Sequence, residues 1–252
     1  MATPRDLRPL AAALGAAALL ASALTALPRG AEAKRKGCPA GMVAVDERFC
    51  IDRYEASIRE VTPSGKLRRH SPYAPIDGKK VKAQSKKGVV PQGYISRDEA
   101  EAACKNAGKR LCTDDEWLTA CRGRRPTTYP YGNERRRGAC NDHGNSSFNK
   151  YYGPAEGGEA PLEAYSWNNM NDPRLNKLDG TVAPTGSFDK CKSSWGAYDM
   201  VGNLHEWTAA PNGTFRGGYY LDTEINGSGC GYKTTAHAPK YRDYSTGFRC
   251  CK

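Results

Sequence analysis

The stretch at residues 195–207 carries the side chains best suited to binding a metal ion. Asp199, Asn203 and Glu206 place two carboxylates and one amide within eight residues. Gly202 lies between them and lets the backbone turn, so that carbonyl oxygens can face the same point. Oxygen ligands of these kinds suit a hard cation such as calcium. The same residues also fit a strand that turns into a loop with its carboxylates in solvent, so the local pattern leaves both structures open.

Cysteine and histidine are the other residues that could do chemistry. All ten cysteines lie beyond residue 33, and an even number of cysteines in an exported chain predicts a disulfide framework. No two cysteines have the Cys-x-x-Cys spacing of a zinc site. The four histidines lack the i, i+4 spacing of a helical metal pair and are more typical of surface or packing positions. The sequence therefore favours disulfides over a zinc centre.

Residues 1–33 have the composition of a secretory signal peptide. Arg5 and Arg8 precede an apolar run of alanine and leucine at residues 10–27, and Ala-Glu-Ala at residues 31–33 fits a small-x-small cleavage site. A membrane anchor is the alternative for an apolar run of this length, although its alanine content makes it weakly hydrophobic. We therefore expect a secreted or periplasmic protein that does not span a membrane after signal cleavage.

Two helices can be placed because each begins with a capping box and ends on glycine. The first should extend from an N-cap at Ser96 to Gly108, and the second from an N-cap at Thr113 to about Gly123. In both, a glutamate follows the N-cap by three residues. Apolar residues then recur with helical spacing, which predicts that one face of each helix is buried.

Strand-like segments flank these helices at residues 42–45, 49–54, 214–221 and 246–251, and the first two should pair across a short polar turn. Residues 124–176 show no sustained period and are rich in Gly, Asn, Pro, Tyr and Ser, which predicts irregular structure held by cross-links. We therefore predict one α+β domain. It should have two helices beside a small, twisted, mostly antiparallel sheet, with more than half of its residues in loops.

The predicted mature chain, residues 34–252, is long enough for one domain with its own core. The whole chain has a net charge of +11, which favours acidic partners. Much of this charge lies at residues 66–87, where Pro72, Pro75 and Gly78 predict a long exposed loop. Most such basic runs are solvated surface, and contact with a polyanion is the alternative. Nothing in the pattern indicates specific recognition of nucleic acid.

Several motifs, in the right order, resemble those of the formylglycine-generating enzyme, or sulfatase-modifying factor, family. The likeness covers residues 38–252 and implies a loop-rich, disulfide-stapled variant of the C-type-lectin-like fold. The matching segments are GMVAV at residues 41–45, FCIDRYEAS at 49–57, AGKRLCTDDEW at 107–117, VGN-x-x-EW at 201–207, RGG at 216–218 and GFRC at 247–250.

The resemblance also implies a disulfide between Cys104, in the first helix, and Cys250, in the last motif. Cys121 matches the other helical cysteine of the family, but the usual partner position falls near Thr235. We therefore assign Cys121 to Cys230, the nearest free cysteine. The remaining predicted pairs are Cys38–Cys50, Cys140–Cys191 and Cys112–Cys251.

One calcium site of the family maps completely onto this sequence. The resemblance implies that calcium is bound by the side chains of Asp199 and Glu206 and by the backbone carbonyls of Gly202 and Leu204. Together with the local chemistry, this match makes a structural calcium ion the favoured interpretation of the stretch.

A second family calcium site is not favoured. It would use Asn141, but the position of its downstream carboxylate holds Lys177, and Asp179 is displaced by two residues. A lysine ammonium cannot bind a cation.

Catalysis in the family depends on two cysteines just after the RGG strand, where a pair of thiolates binds Cu(I). Asp222 occupies the first of these positions, and the second maps onto Cys230, which we expect to be cross-linked to Cys121. The sequence therefore predicts that the copper dithiol site is missing. The catalytic candidates that remain are Cys230, Asp222, His205 and His237.

Two functions are then open. The favoured one is an exported, calcium-stabilised binding module, in which a cleft near Trp207, Arg216, Tyr219 and Tyr220 accepts a peptide, a glycan or a partner protein. The alternative is an active oxidoreductase that converts a cysteine of a substrate protein to formylglycine.

Overall fold

The computed structural model describes residues Gly37–Lys252. The predicted signal peptide at residues 1–33, and the alternative of a membrane anchor, lie outside the described residues. Within the described range no helix is long and apolar enough to span a bilayer. The strands are β1 (Met42–Val45), β2 (Phe49–Asp52), β3 (Ala56–Val61), β4 (Leu67–Arg69), β5 (Val81–Ser85), β6 (Arg110–Leu111), β7 (His205–Trp207), β8 (Phe215–Arg216), β9 (Lys233–Thr234), β10 (Thr246–Phe248) and β11 (Cys250–Cys251).

The helices include the two that the capping signals predict. They are α1 (Arg97–Asn106), α2 (Asp114–Arg122), α3 (Ser147–Tyr152) and α4 (Trp167–Met170), with short 3₁₀ turns at Leu162–Ala164, Leu175–Lys177 and Gly229–Gly231. Both predicted N-caps, Ser96 and Thr113, form complete capping boxes, and α2 ends at Gly123. The capping box satisfies backbone N–H groups that the helix itself cannot, which explains why the boundaries could be predicted.

The strands form three small sheets rather than one. The first has the order β1-β2-β11-β6 and is antiparallel throughout. The second has the order β10-β7-β8-β9, in which only the β10–β7 pair is parallel. The third has the order β4-β3-β5 and is antiparallel. The predicted α+β class with mostly antiparallel strands is confirmed, and β1 pairs with β2 as expected.

The basic segment at residues 66–87 is not the long exposed loop that its prolines and charges predict. It contains β4 and β5, which pair with the two edges of β3. Val81 and Ala83 alternate with charged residues and are buried, as is Ile76 in the connection. Two apolar residues separated by one residue project from the same face of a strand and can anchor it to the core. The apolar pattern is too short to be recognised among the surrounding lysines and arginines.

Five disulfides connect these elements, and the described residues contain no free cysteine. The bridge Cys104–Cys250 joins α1 to β11, and Cys121–Cys230 joins α2 to a 3₁₀ turn. The five pairs are the combinations predicted above: Cys38–Cys50, Cys104–Cys250, Cys112–Cys251, Cys121–Cys230 and Cys140–Cys191. Most of the bridges attach helices and loops to the small sheets, which are too short to bury a large core by themselves.

Candidate functional site

The loop that precedes β7 turns inward and buries its carboxylates. Asp199 and Glu206 are 5% and 1% exposed, so the alternative of solvated carboxylates is wrong. The turn depends on Gly202, which has φ of 78°, and a Cβ atom there would lie 2.1 Å from the carbonyl oxygen of Asn141. Asn203 also has a positive φ, of 60°. Close backbone contact and left-handed geometry both explain why glycine occupies position 202.

Glu206 is held by a buried ion pair with Arg249. The Nε and Nη2 atoms of Arg249 donate to the two carboxylate oxygens of Glu206, each at 2.5 Å. The indole Nε1 of Trp117 donates to the same carboxylate at 2.7 Å. Arg249 is fully buried. A bidentate pair of this kind is strong only because its donors and acceptors are satisfied away from water.

Arg249 also binds three backbone carbonyls from separate parts of the chain. Its Nη2 atom donates to the carbonyls of Tyr198 at 2.9 Å and Asp199 at 3.3 Å, and Nη1 donates to that of Asp52 at 3.2 Å. The guanidinium group therefore joins β2, the loop before β7 and β7 itself. Its five donors in a fixed plane suit this role, which a lysine could not fill.

A third carboxylate, that of Glu55, lies beside this pair. It is fully buried and accepts hydrogen bonds from the Asn203 side chain at 2.5 Å and the Leu204 backbone N–H at 3.2 Å. Asn203 in turn accepts from Asn141 and from the backbone N–H of Ala183. The cluster thus contains three buried carboxylates, those of Glu55, Asp199 and Glu206, and one buried guanidinium.

Burial changes the protonation of these carboxyls. It raises the pKa of Asp199 to about 7, against the lowering effects of a hydrogen bond from the Gly186 N–H and of the charge on Arg249. Burial also raises the pKa of Glu55 well above its usual range, and the charges of Asp199 and Glu206 raise it further. The cluster has more carboxyl groups than the single charge of Arg249 can balance, so burial favours the protonated forms of Asp199 and Glu55.

The two carboxylates among the four predicted calcium ligands are not equally available. The carboxylate of Glu206 is bonded to Arg249 and Trp117, whereas the carboxylate of Asp199 accepts only the Gly186 N–H among the described residues. Within residues 37–252 no group of three or more His, Cys, Asp and Glu side chains is arranged to hold a metal ion. Any calcium site here would depend largely on backbone carbonyls beside Asp199, with Glu206 shared with Arg249.

Residues of the second, disfavoured calcium prediction line one cavity. Asn141 and Asp179 line the same cavity, of about 360 Å³. The Asn141 amide donates to the carbonyl of Thr181 at 2.8 Å and to Asn203 at 2.9 Å. Lys177, which stands where the resemblance expects a carboxylate, lines the same cavity and brings a positive charge to it.

The two positions predicted to match the family dithiol, Asp222 and Cys230, do not hold two thiols. Cys230 is buried and bonded to Cys121. The Asp222 carboxylate accepts the backbone N–H groups of Glu224 at 2.8 Å and Ile225 at 3.0 Å, and the hydroxyl of Tyr232 at 3.0 Å. Asp222 therefore stabilises a turn. A disulfide and a hydrogen-bonded carboxylate do not fit Cu(I), which requires soft ligands.

His205 and His237 lie in an aromatic cluster rather than at an open site. Their rings flank Phe215, with centroids 4.5 Å and 5.5 Å from it. Burial, together with a smaller effect of the charge of His237, lowers the pKa of His205 to about 3. Burial also lowers the pKa of His237. A buried, neutral His205 with 5% exposure cannot reach a substrate in this conformation.

Three of the four predicted cleft residues lie in the interior, which corrects the prediction of an open cleft formed by them. Trp207 and Tyr220 are 1% and 0% exposed, and Arg216, at 6%, forms a bidentate ion pair with Asp114 at 2.6 Å. Only Tyr219 is half-buried. The side chains predicted to bind a ligand instead supply apolar area that a loop-rich domain needs for its core.

Exposed aromatic residues lie instead on the segment at residues 162–170. Tyr165 and Trp167 are 49% and 51% exposed. The Tyr165 ring stacks on Phe148 with centroids 4.3 Å apart, and Arg242 lies 5.8 Å from the Trp167 ring. Composition predicted only irregular structure here, so this surface was missed.

Sequence reasoning also missed the roles of Glu55 and Arg249. Both residues lie within motifs that carry the family resemblance, FCIDRYEAS and GFRC. That location was the available signal, but neither motif shows by itself that its charged residue is buried or which residue it meets. Trp117 lies in AGKRLCTDDEW, and its hydrogen bond to Glu206 was not foreseen either.

Residues 21–252 match the family model of the sulfatase-modifying factor enzyme 1-like domain. A relative from Bos taurus named inactive C-alpha-formylglycine-generating enzyme 2 is 26% identical over 171 residues, which are 64% of this chain and 49% of that protein. The formylglycine-generating enzyme of Mus musculus is 31% identical over 120 residues, 47% of this chain and 27% of that protein. The chain thus spans about half the length, or less, of these relatives.

Solved structures give weaker similarities. The structure of PvdO from Pseudomonas aeruginosa superposes with a TM-score of 0.45 at 18% identity, covering 81% of this chain and 79% of that one. The Major Tropism Determinant P3c variant gives a TM-score of 0.47 at 14% identity, covering 85% of this chain and 52% of that one.

Proposed function

Because this chain belongs to the sulfatase-modifying factor family, we propose that it uses the family scaffold as a non-catalytic, calcium-stabilised binding module in a secreted or periplasmic location. The observation that carries the proposal is the absence of a thiol pair at the dithiol position: Cys230 is in a disulfide, and Asp222 replaces its partner. Two relatives at 26% identity bear names that call them inactive, which supports the same interpretation.

The chemistry of the dithiol site supports this proposal. A thiolate is the nucleophile and soft metal ligand in cysteine chemistry, and a disulfide sulfur is neither. The Asp222 carboxylate is a hard ligand already bonded to two backbone N–H groups and a tyrosine hydroxyl. Oxidation of a substrate cysteine through copper would require both positions to change. The five disulfides are also what a protein of an oxidising compartment is expected to carry.

The exposed aromatic surface near Tyr219 supports a binding role. Tyr165 and Trp167 are half-exposed. Stacked rings connect Tyr165 to Phe148 and Phe148 to Tyr244, and Tyr244 contacts Tyr219 edge-on. Rigid aromatic side chains held by a packed layer bind peptides, glycans and proteins at low entropic cost. We place the contact with a peptide, glycan or protein partner there, rather than on the buried Trp207 and Tyr220.

We expect thiol titration of the denatured, unreduced protein to detect no free thiol, and Cu(I) binding to be substoichiometric. The same preparation should leave a cysteine peptide unchanged in an aldehyde assay. The variant Cys121→Ser, which releases Cys230, is the control and should raise the thiol count to one. Two free thiols in the parent protein, one bound copper and conversion of the peptide to its aldehyde would establish the alternative, an active formylglycine-generating oxidoreductase.

The calcium part of the proposal rests on charge. A divalent cation near Asp199 and the carbonyls of Gly202 and Leu204 would offset the excess negative charge of the cluster, because three buried carboxylates face one guanidinium. Calcium that binds only the folded protein must raise its stability in proportion to its occupancy.

We expect saturating calcium to raise the melting temperature of chelator-treated protein by about 5 °C at pH 8. Without calcium, the raised pKa of Asp199 means that its proton stabilises the folded state. This contribution is complete below about pH 4 and is lost as the pH rises through about 7. Calcium should therefore stabilise the protein more at pH 8 than at pH 5. Asp199→Asn keeps an acceptor for the Gly186 N–H and should remove the response. An unchanged melting temperature at both pH values would refute calcium binding to the folded state.

A further inference from the structure

The third sheet carries a row of cations on the face opposite its core. In the register of β3, Arg59 lies directly opposite Arg69 on β4 and Lys82 on β5. Residues directly opposite in antiparallel strands project from the same face of a sheet, so the three cations are neighbours. Like charges in such positions destabilise a sheet. The arrangement therefore lacks a stabilising role within the folded chain alone.

A cavity of about 460 Å³ opens on this face. Its lining includes Arg59, Arg69, Lys86 and His70, and contains no aspartate or glutamate. Ligand pockets for small molecules generally have volumes of about 300 to 1,000 Å³. The cavity is therefore large enough for a small ligand, and its charge favours an anion.

Two buried polar atoms at the cavity have no hydrogen-bond partner among the described residues. One is Nε of Arg59, a donor, and the other is Oε1 of Gln92, an acceptor. Gln92 is fully buried, and its Nε2 atom is fixed by the carbonyls of Ala74 at 2.9 Å and Gly93 at 2.7 Å. The orientation of the amide is thereby set, and its oxygen is left for a donor. A buried donor or acceptor without a partner destabilises the folded protein. A ligand that formed hydrogen bonds with both atoms would remove this cost.

The lining also has an apolar side. Tyr73, Val89 and Val90 contribute to it, and Tyr73 and both valines are half-buried. A ligand complementary to the whole lining must have three features. They are an anionic group for Arg59 and Arg69, a hydroxyl or N–H donor for Gln92, and a nonpolar ring face for Tyr73. An inorganic sulfate provides only the first of these.

We propose that this cavity binds an acidic saccharide unit, that is, a sugar that carries a sulfate or carboxylate group beside free hydroxyls. The anionic group contacts the arginine and lysine side chains, a hydroxyl donates to Oε1 of Gln92, and the sugar ring packs on Tyr73. Charge-assisted hydrogen bonds from two guanidinium groups give the anion its affinity. The basic segment noted in the sequence is thus a folded part of a binding site, since it supplies β4, β5 and most of the charge.

This inference is independent of the function proposed above. None of the lining residues belongs to the calcium loop, to the dithiol position or to the exposed aromatic surface. Its test does not require that the domain be non-catalytic or that calcium be bound.

The test is isothermal titration calorimetry of the whole mature protein at low ionic strength with four probes. They are a sulfated disaccharide, a uronic acid disaccharide, the neutral desulfated parent and sodium sulfate. The sulfated or uronic sugar should bind, and sodium sulfate and the neutral parent should bind at least about tenfold more weakly. Comparing the two acidic sugars shows whether sulfate or carboxylate is preferred.

Two variants of β4 provide the matched comparison. Arg69→Gln removes a cation of the cavity face, whereas Arg68→Gln removes the neighbouring cation, which pairs with Glu60 at 2.7 Å on the other face. We expect Arg69→Gln to weaken binding by about tenfold or more without lowering the melting temperature, because it relieves repulsion with Arg59. Arg68→Gln should leave the affinity within about twofold.

Three outcomes would overturn the proposal. Equal losses in the two variants would mean that only net charge matters. Equal binding of the neutral parent would remove the role of the anion. Tighter binding of an aspartate-rich hexapeptide than of either acidic sugar would assign the cavity to a peptide.

Discussion

Replacing Arg249 with methionine is expected to lower the free energy of unfolding by about 3 to 5 kcal/mol, the range typical when one partner of a buried ion pair is removed. Among residues 37–252, the change leaves the Trp117 indole as the only hydrogen-bond donor to the Glu206 side chain. It also leaves the carbonyls of Tyr198 and Asp52 without their guanidinium donors. It also removes the buried cation that faces Glu55 and Asp199. In a domain of this size, the melting temperature should fall by about 10 °C.

The matched control for Arg249 is Arg110→Gln. Arg110 also forms a bidentate pair, with Glu116 at 2.6 Å for each bond, but its side chain is 45% exposed. Exposed pairs contribute roughly 0 to 1 kcal/mol. Both variants should be unfolded in urea with a chelator present. If both variants lost the same free energy of unfolding, Arg249 would not be balancing the charge of the buried carboxylates. A double variant, Arg249→Met with Glu206→Gln, should recover part of the loss because no unpaired charge remains at position 206.

Removing the Cys104–Cys250 bridge with a pair of alanines should cost about 3 kcal/mol, although a loop of more than 100 residues would by itself give nearly 5. The two cysteines are 146 positions apart. However, Cys112 follows Cys104 by eight residues and is bonded to Cys251, the neighbour of Cys250. This second bridge already holds the ends together in the unfolded chain. The first bridge therefore closes only a short additional loop, and its entropic contribution should be about 3 kcal/mol rather than nearly 5.

The Cys38–Cys50 bridge is the comparison, because its cysteines are only 12 positions apart. Its removal should also cost about 3 kcal/mol, so that the two double variants have nearly equal urea midpoints despite their different separations. A loss near 5 kcal/mol for the Cys104–Cys250 pair alone would show that the neighbouring bridge does not restrain the unfolded chain. Mass spectrometry of each variant should verify that the other four bridges have formed.

Local signals explain what could be predicted about the framework. The capping boxes at Ser96 and Thr113 concern backbone groups within four residues, so the two main helices follow from a few side chains. β1 and β2 are adjacent in the sequence and pair across one turn. The α+β class could therefore be predicted from short-range sequence patterns together with the family motifs. The β4 and β5 strands were missed because each contributes too few apolar residues to be distinguished from a charged loop.

The candidate site was predictable in its residue types and unpredictable in its partners. The oxygen-bearing stretch at residues 199–206 was found because its carboxylates and glycine are close in sequence. Whether those carboxylates are solvated, bound to calcium or paired with arginine depends on residues far away. Trp117, for example, donates to Glu206 from 89 positions earlier. Aromatic residues in the RGG region could not be assigned to a cleft or to a core, since both require the same side chains.

By itself, the sequence determined the family, the two main helices and the number of cysteines, and it predicted that Asp222 replaces a dithiol cysteine. Those features follow from residue identity and short-range spacing. Only the tertiary structure decided that Arg249 meets Glu206, that Glu55 joins them through Asn203 from 148 positions away, and that Arg59, Arg69 and Lys82 share one face of a sheet. The burial of a group and the balance of charge around it depend on all of its neighbours in space. They are therefore decided only when distant parts of the chain have been brought together.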